Sequence, residues 1–259
     1  MNISYDAQHN EYCAYVLPEA KTPYGMLLGN LKSYAQSTGK GGIRGLWDAD
    51  TDRIIFGTHQ MAYRLAGGSQ TYFPHQVERE FTFLPYAQLA EFTLDHRVNV
   101  AEAFYVPHGP AFDRSVSFVV DVTLYNPTGE TVEVSVFPWA LLVGQRFYGE
   151  PENEVRAQVD GDFIRSVNQL NAYERWWGAS RTPHASVVSL REQALLQNMR
   201  RGTLRPEQHQ EEVTPAQAEW VSRRIYGAFE YRLTVAPGQR ESLRIAVVAN
   251  SDGPKAQAT

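Results

Sequence analysis

The side chains with the clearest chemical capacity are the seven histidines, at positions 9, 59, 75, 96, 108, 184 and 209. Two of them, His96 and His108, share a short stretch with Asp95, Glu102 and Asp113. An imidazole beside a carboxylate can give and take protons near neutral pH, which is the chemistry that opens a pyranose ring. Scattered histidines more often serve as core or solvated residues, and that plainer role is preferred for these. No two histidines stand at the helical spacing of a zinc protease, and Cys13 is the only cysteine, so neither a metal site nor a cofactor is expected. Among Tyr12, Ala14, Tyr15 and Val16, Cys13 itself reads as a small buried hydrophobe.

Asp48, Asp50 and Asp52 alternate like the first ligands of a calcium loop, but Arg53 and His59 stand where that loop needs glycine and glutamate. A turn joining Arg44–Trp47 to Arg53–Phe56 accounts for the same residues. The glycine-rich run Gly39–Gly45 lacks the Gly-Lys-Ser/Thr ending of a phosphate cradle and reads as a flexible loop. There is no Gly-x-Ser-x-Gly elbow of a serine hydrolase. Trp176 and Trp177 are adjacent, so in a strand they point to opposite faces, one toward the core and the other toward solvent or a partner.

The elements that must position these groups are strands. Aromatic and β-branched residues recur in short alternating runs separated by Gly, Pro, Asn and Asp. The clearest unit, Ser115–Val143, has two long apolar-alternating runs around Asn126-Pro127-Thr128-Gly129-Glu130 and predicts a hairpin. On its first strand Val116, Phe118, Val120, Val122 and Leu124 share one face, as do Val132, Val134 and Val136 on its second. Ile225–Val248 repeats the pattern around Ala236-Pro237-Gly238-Gln239 and predicts another hairpin. Further strands are expected at Tyr12–Leu17, Arg53–Phe56, Ala90–Val98, Val100–Val106, Glu154–Val159, Phe163–Asn168 and His184–Leu190. Helical signals are confined to Arg191–Arg200 and to Pro215–Val221, where Thr214 caps and Pro215 opens. The fold class is therefore all-β, a large two-sheet antiparallel sandwich with one or two short helices.

Composition agrees with one folded domain. The chain has 259 residues, 43% hydrophobic and 20% charged, which excludes disorder and a disulfide scaffold. A formal net charge of -5 and scattered basic residues argue against nucleic acid. No window approaches the roughly 18 apolar residues of a membrane span, and no leader is evident, so the expectation is a cytoplasmic protein without membrane contact.

From about residue 71 to 253 the order of features resembles the N-terminal β-sandwich, or supersandwich, that precedes the helical α/α toroid of many carbohydrate-active enzymes, cellobiose-phosphorylase-like and glucoamylase-like enzymes among them. The resemblance rests on Phe104-Tyr105-Val106-Pro107, on Val116–Asn126 with its Asn126-Pro127-Thr128-Gly129 turn, on Trp139–Gly144, and on Gly227-Ala228-Phe229 with the Ala236-Pro237-Gly238 turn. It implies a galactose-mutarotase-like sandwich over residues 1–253, with 254–259 beginning a linker. In that family the helical domain carries the general-acid carboxylate, so no catalytic residue is transferred to this chain.

The implied role is a non-catalytic domain of a glycoside hydrolase or phosphorylase, packed on the helical domain of the same polypeptide and framing its active site, with an oligosaccharide nearby. A stand-alone sugar mutarotase and a carbohydrate-binding module are the alternatives, and a homodimer is left open. The docking or binding surface is expected at Phe147, Tyr148, Tyr173, Trp176 and Trp177.

Overall fold

The computed structural model describes residues 2–6, 11–16, 26–38, 41–50, 53–84, 86–109, 115–142, 155–168, 174–207, 220–222 and 224–250. The first strands in chain order are β1 (Asn2–Asp6), β2 (Glu11–Val16), β3 (Leu27–Gly29), β4 (Ser33–Ser37), β5 (Ile43–Asp48), β6 (Arg53–Phe56), β7 (His59–Leu65) and β8 (Thr71–Tyr72). Then come β9 (Arg79–Phe83), β10 (Ala87–Leu94), β11 (Val98–Tyr105), β12 (Val116–Tyr125) and β13 (Val132–Leu141). The last part holds β14 (Val155–Asp160), β15 (Phe163–Asn168), β16 (Glu174–Ala179), β17 (Ala185–Ser189), the helix α1 (Glu192–Arg201), β18 (Trp220–Ser222), β19 (Tyr226–Val235) and β20 (Arg240–Asn250).

They form two antiparallel sheets. The larger has the order β1-β2-β9-β10-β11-β12-β20-β16-β15-β14-β18, and the smaller β17-β19-β13-β7-β5-β4-β3, with β6 beside β5 and β8 beside β7. Alternation along the strands drives their stacking. Val116, Phe118, Val120, Val122 and Leu124 of β12 and Val132, Val134 and Val136 of β13 are all 3% exposed or less. Each such side chain contributes roughly 1.5–3 kcal/mol when removed from water.

The two expected hairpins are corrected. β12 pairs with β11 and β20, whereas β13 pairs with β7 and β19, so the turn at Asn126–Glu130 carries the chain from one sheet to the other. The turn at Ala236–Gln239 does the same between β19 and β20. Two strands with one apolar face each can pair side by side or face each other across a core, and the alternation is identical in both cases. Asn126, with no exposed surface, ties the two crossovers together. Its Nδ2 donates to the carbonyls of Glu130 (2.7 Å) and Val235 (2.9 Å), and its Oδ1 accepts from Thr128 N (3.0 Å) and Thr128 Oγ1 (2.7 Å). Its backbone N donates to Gln239 O at 3.1 Å and its carbonyl accepts from Gly238 N at 2.8 Å.

Helix α1 lies on the outer face of the smaller sheet and makes a second, smaller core there. Leu195 and Met199 pack with Phe73, Phe137, Trp139, Val187, Leu204 and Tyr226. Gly202 ends the helix at φ +86, where a Cβ would lie 2.4 Å from Arg64 Nε.

Two further expectations change. The supposed Gly39–Gly45 loop is strand from Ile43 onward, with Ile43 and Leu46 fully buried. Gly42, at φ +79, makes the close approach that turns the chain inward, since a Cβ there would sit 2.0 Å from His59 O. Of the expected helix at Pro215–Val221, residues 215–219 lie outside the described residues, and Trp220 and Val221 are strand, paired with Ala157 and Arg156. The turn after Asp48 is as expected, with β6 pairing Arg53 opposite Asp48.

Replacing Asn126 with alanine removes four side-chain hydrogen bonds and leaves two carbonyls at the crossovers without their donor. The expected loss is about 3 kcal/mol of stability in urea unfolding. A loss below about 1 kcal/mol would show that the crossovers are held by something else.

Candidate functional site

The outer face of the larger sheet carries a cleft of about 1150 Å³. Strand register builds its floor in two rows. Glu80 of β9 stands opposite Glu91 of β10, which faces Ala101 of β11, which faces Thr123 of β12. In the next row Thr93 faces Asn99, Asn99 faces Tyr125, and Tyr125 faces Arg240. Thr93 Oγ1 lies 3.1 Å from Asn99 Oδ1, and the Arg240 guanidinium sits 5.4 Å from the centre of the Tyr125 ring. The rim is the three-residue β10–β11 turn, closed by Arg97 N donating to Leu94 O at 2.9 Å, in which Asp95 (φ 49) and His96 (φ 54) both take the left-handed conformation. Gln70, Tyr72, Val77 and Glu78 line the cleft from the segment before β9.

The cleft presents mostly acceptors. Its exposed charged residues are the carboxylates Glu78, Glu80, Glu91 and Asp95 with Arg240 and His96, and the buried Arg79 also borders it. Glu80 and Glu91 are direct cross-strand partners, and like charges so placed repel. Burial and the nearby Asp95 carboxylate raise the Tyr72 hydroxyl above its ordinary range.

Inside the sandwich the same strands hold a polar cluster that faces away from this floor. Tyr63 of β7 donates to Glu102 Oε1 of β11 at 2.5 Å, a bond from one sheet to the other. Glu102 is fully buried, and burial pushes its carboxyl up to about 7, with the Tyr63 bond and the Arg79 charge pulling the other way. Arg79, also buried, donates to Val77 O at 3.0 Å and is lowered to about 10 by burial. His59 is wedged edge-on between Phe118 and Trp177, and burial lowers it to about 3, so it is neutral. Among the described residues neither of its ring nitrogens has a hydrogen-bond partner.

The histidine and carboxylate group named from sequence is not assembled. His96 and Asp95 stand on the cleft rim, Glu102 points into the interior, His108 is exposed, and Asp113 lies outside the described residues. Of the five aromatic residues expected at a docking surface, Phe147, Tyr148 and Tyr173 lie outside the described residues. Trp177 is sealed in the main core against Phe229, 1% exposed. Trp176 does point to the other face, as adjacency requires, but at 9% exposure it is covered there by Phe163 and by the Arg165 guanidinium. Arg165 is held in place by Glu174. Sequence reasoning missed Glu80, Glu91, Asn99, Tyr125 and Arg240 as cleft residues, because strand register alone brings them together.

No family model matches the chain, and no curated protein matches it in sequence. Solved structures do. A bacterial glucoamylase complexed with acarbose superposes with a TM-score of 0.59 at 7% identity, over 95% of this chain and 37% of that one. A galactose mutarotase related enzyme from Lactobacillus acidophilus superposes with a TM-score of 0.54 at 7% identity, over 88% of this chain and 97% of that one. At such identity the likeness is one of fold: the chain has the galactose-mutarotase-like β-sandwich that also occurs as part of a glucoamylase.

The buried carboxyl of Glu102 makes stability depend on pH. Its folded value is raised from the ordinary 4.5 to about 7, so its contribution is full below 4.5 and is lost as pH rises toward 7. Glu102→Gln keeps the shape without the proton to lose. The stability of this variant minus that of the parent chain should therefore grow through that window in urea titrations at stepped pH. Parallel curves would show that Glu102 does not titrate in the interior.

Proposed function

We propose that the chain is a non-catalytic β-sandwich domain of a carbohydrate-active enzyme, a glycoside hydrolase or phosphorylase. In this role it packs on a helical α/α-toroid catalytic domain of the same polypeptide and frames its active site. The supporting observation is the match of 95% of this chain to 37% of a glucoamylase, so a unit of this shape makes up about a third of that enzyme. Residues 1–253 are the domain and 254–259 the start of the linker.

The chemistry of the large cleft favours framing over catalysis. Acid–base work on a pyranose needs groups held in a set geometry and shielded from water. Glu80, Glu91, Asp95 and His96 are instead exposed, and the shielded carboxyl, Glu102, faces the interior. The opposed Glu80 and Glu91 carboxylates favour a partner that brings a cation or hydrogen-bond donors. A second contact point is Phe163, 44% exposed and set edge-on against Trp176; Tyr173, Phe147 and Tyr148, proposed from sequence as docking residues, lie outside the described residues. No described helix is long and apolar enough to cross a membrane.

Two measurements test the proposal. With the 259-residue protein added, α-D-glucose and α-D-galactose should reach anomeric equilibrium at the uncatalysed rate in a polarimeter; an acceleration abolished by His96→Asn would make the chain a mutarotase. The gene should continue in frame past the Thr259 codon into a long helical region. A stop codon directly after it would remove the partner on which the role depends.

A further inference from the structure

The buried Glu102 is tied to the wall of the large cleft at two points. The first is Pro74, in the segment before β9 that carries Val77 and Glu78 to the cleft. It rests against Gly41, where a Cβ would lie 2.8 Å from Pro74 Cβ and 3.9 Å from Glu102 Oε2. The second is Arg79, whose Nη1 donates to Val77 O at 3.0 Å, while Val77 N donates to Pro74 O at 3.4 Å. The Arg79 guanidinium stands 5.5 Å from the centre of the Phe81 ring, and Phe81, Ala90 and Glu102 form one cross-strand row. Between Phe81 and Glu102 that row holds only the methyl of Ala90, and the guanidinium and the carboxyl act on each other electrostatically.

The two oxygens of Glu102 differ. Oε1 accepts from Tyr63 at 2.5 Å, whereas Oε2 has no hydrogen-bond partner among the described residues. A buried carboxylic acid tolerates that arrangement, but a buried carboxylate must draw in a donor. Among the described residues the charged and titratable groups that act on Glu102 are Tyr63 from β7 and Arg79 from β9. Its ladder neighbours, Ala90 of β10 and Val122 of β12, carry no charge, and neither does Gly41. Tyr63 already gives its one proton to Oε1, so Arg79 is the donor left.

We propose that Glu102 is a proton-controlled latch on the wall of the large cleft. Protonated, it leaves Arg79 on the Val77 carbonyl and the wall stays held. Ionised, it takes the guanidinium into a charge-assisted hydrogen bond at Oε2, Val77 O loses its donor, and segment 74–78 loosens. The only chemical change is one proton passing from the carboxyl to solvent. Burial raises that carboxyl from 4.5 to about 7, so the wall is held on the acid side of neutrality and released on the alkaline side. The released segment carries Glu78, one of the exposed carboxylates of the cleft. The latch lies within this chain and stands whether or not a helical domain covers the larger sheet.

Carbon NMR on the 259-residue protein tests it, with isotope labels in the glutamate carboxyls and valine methyls and a titration between about pH 5 and 9. The Val77 methyl resonances should shift with the same midpoint as the Glu102 carboxyl. In Glu102→Gln that shift should be lost, with Val77 at its low-pH position throughout. Tyr63→Phe removes a bond that favours the carboxylate, so it should raise both midpoints together. His96 is an imidazole on the rim of the same cleft, and the Val77 shift should persist in His96→Asn. A Val77 shift that survives Glu102→Gln overturns the proposal, as does one lost in His96→Asn or midpoints that separate in Tyr63→Phe. So do Val77 resonances that stay still while the Glu102 carboxyl titrates, and a Glu102 carboxyl that does not titrate in this range.

Discussion

The sandwich depends on two of the turns that carry the chain between its sheets, β12 to β13 and β19 to β20, and on Asn126, which binds both. Strands β12 and β13 are joined by one crossover and β19 and β20 by the second, yet the ladders run β12 with β20 and β13 with β19. Two pairs of consecutive strands, distant from each other in sequence, are thus laddered together in both sheets, and such non-local pairing must meet the entropy of closing long loops. Six hydrogen bonds at one buried residue fix where both crossovers turn. The same four strands reach both outer faces: Tyr125 and Arg240 line the large cleft on one, and Trp139 and Tyr226 are buried under α1 on the other.

Faces were legible in the sequence and partners were not. The period-two runs named the buried sides of β12 and β13 correctly, because burial acts on each strand alone. They said nothing about whether Val122 looks across to β13 or lies beside it, since both arrangements remove the same surface from water. The Pro-Gly and Asn-Pro turns are equally silent, as a sheet-to-sheet turn and a hairpin turn use the same residues. The large cleft was invisible for a related reason. Glu80 and Glu91 meet only because β9 and β10 pair in one register, and a shift of one residue would turn Glu91 inward.

The interior polar contacts could not be read from composition either. Tyr63 and Glu102 are 39 positions apart and join opposite sheets. Arg175 likewise reaches from β16 to the carbonyls of Ile55 (2.7 Å) and Leu142 (3.0 Å), on the side of the smaller sheet. Apolar contact between two sheets is tolerant of sliding, whereas a hydrogen bond across the core is satisfied in one alignment. The cost is real: burial lowers Arg175 to about 9 and raises Glu102 to about 7. Packing offsets that cost, and the outer faces inherit a fixed geometry in return.

A fold that spans nearly all of a mutarotase-related enzyme and about a third of a glucoamylase leaves function to its surfaces. Here the two outer faces differ in kind. The larger sheet offers exposed carboxylates, Glu80 and Glu91 directly opposed, a surface stabilised by being covered with cations or donors. The smaller sheet is already covered by α1, whose Leu195 and Met199 close a second core over Trp139 and Tyr226. A broad charged face suits a domain-sized partner, because many weak, screened contacts add up only over a large area.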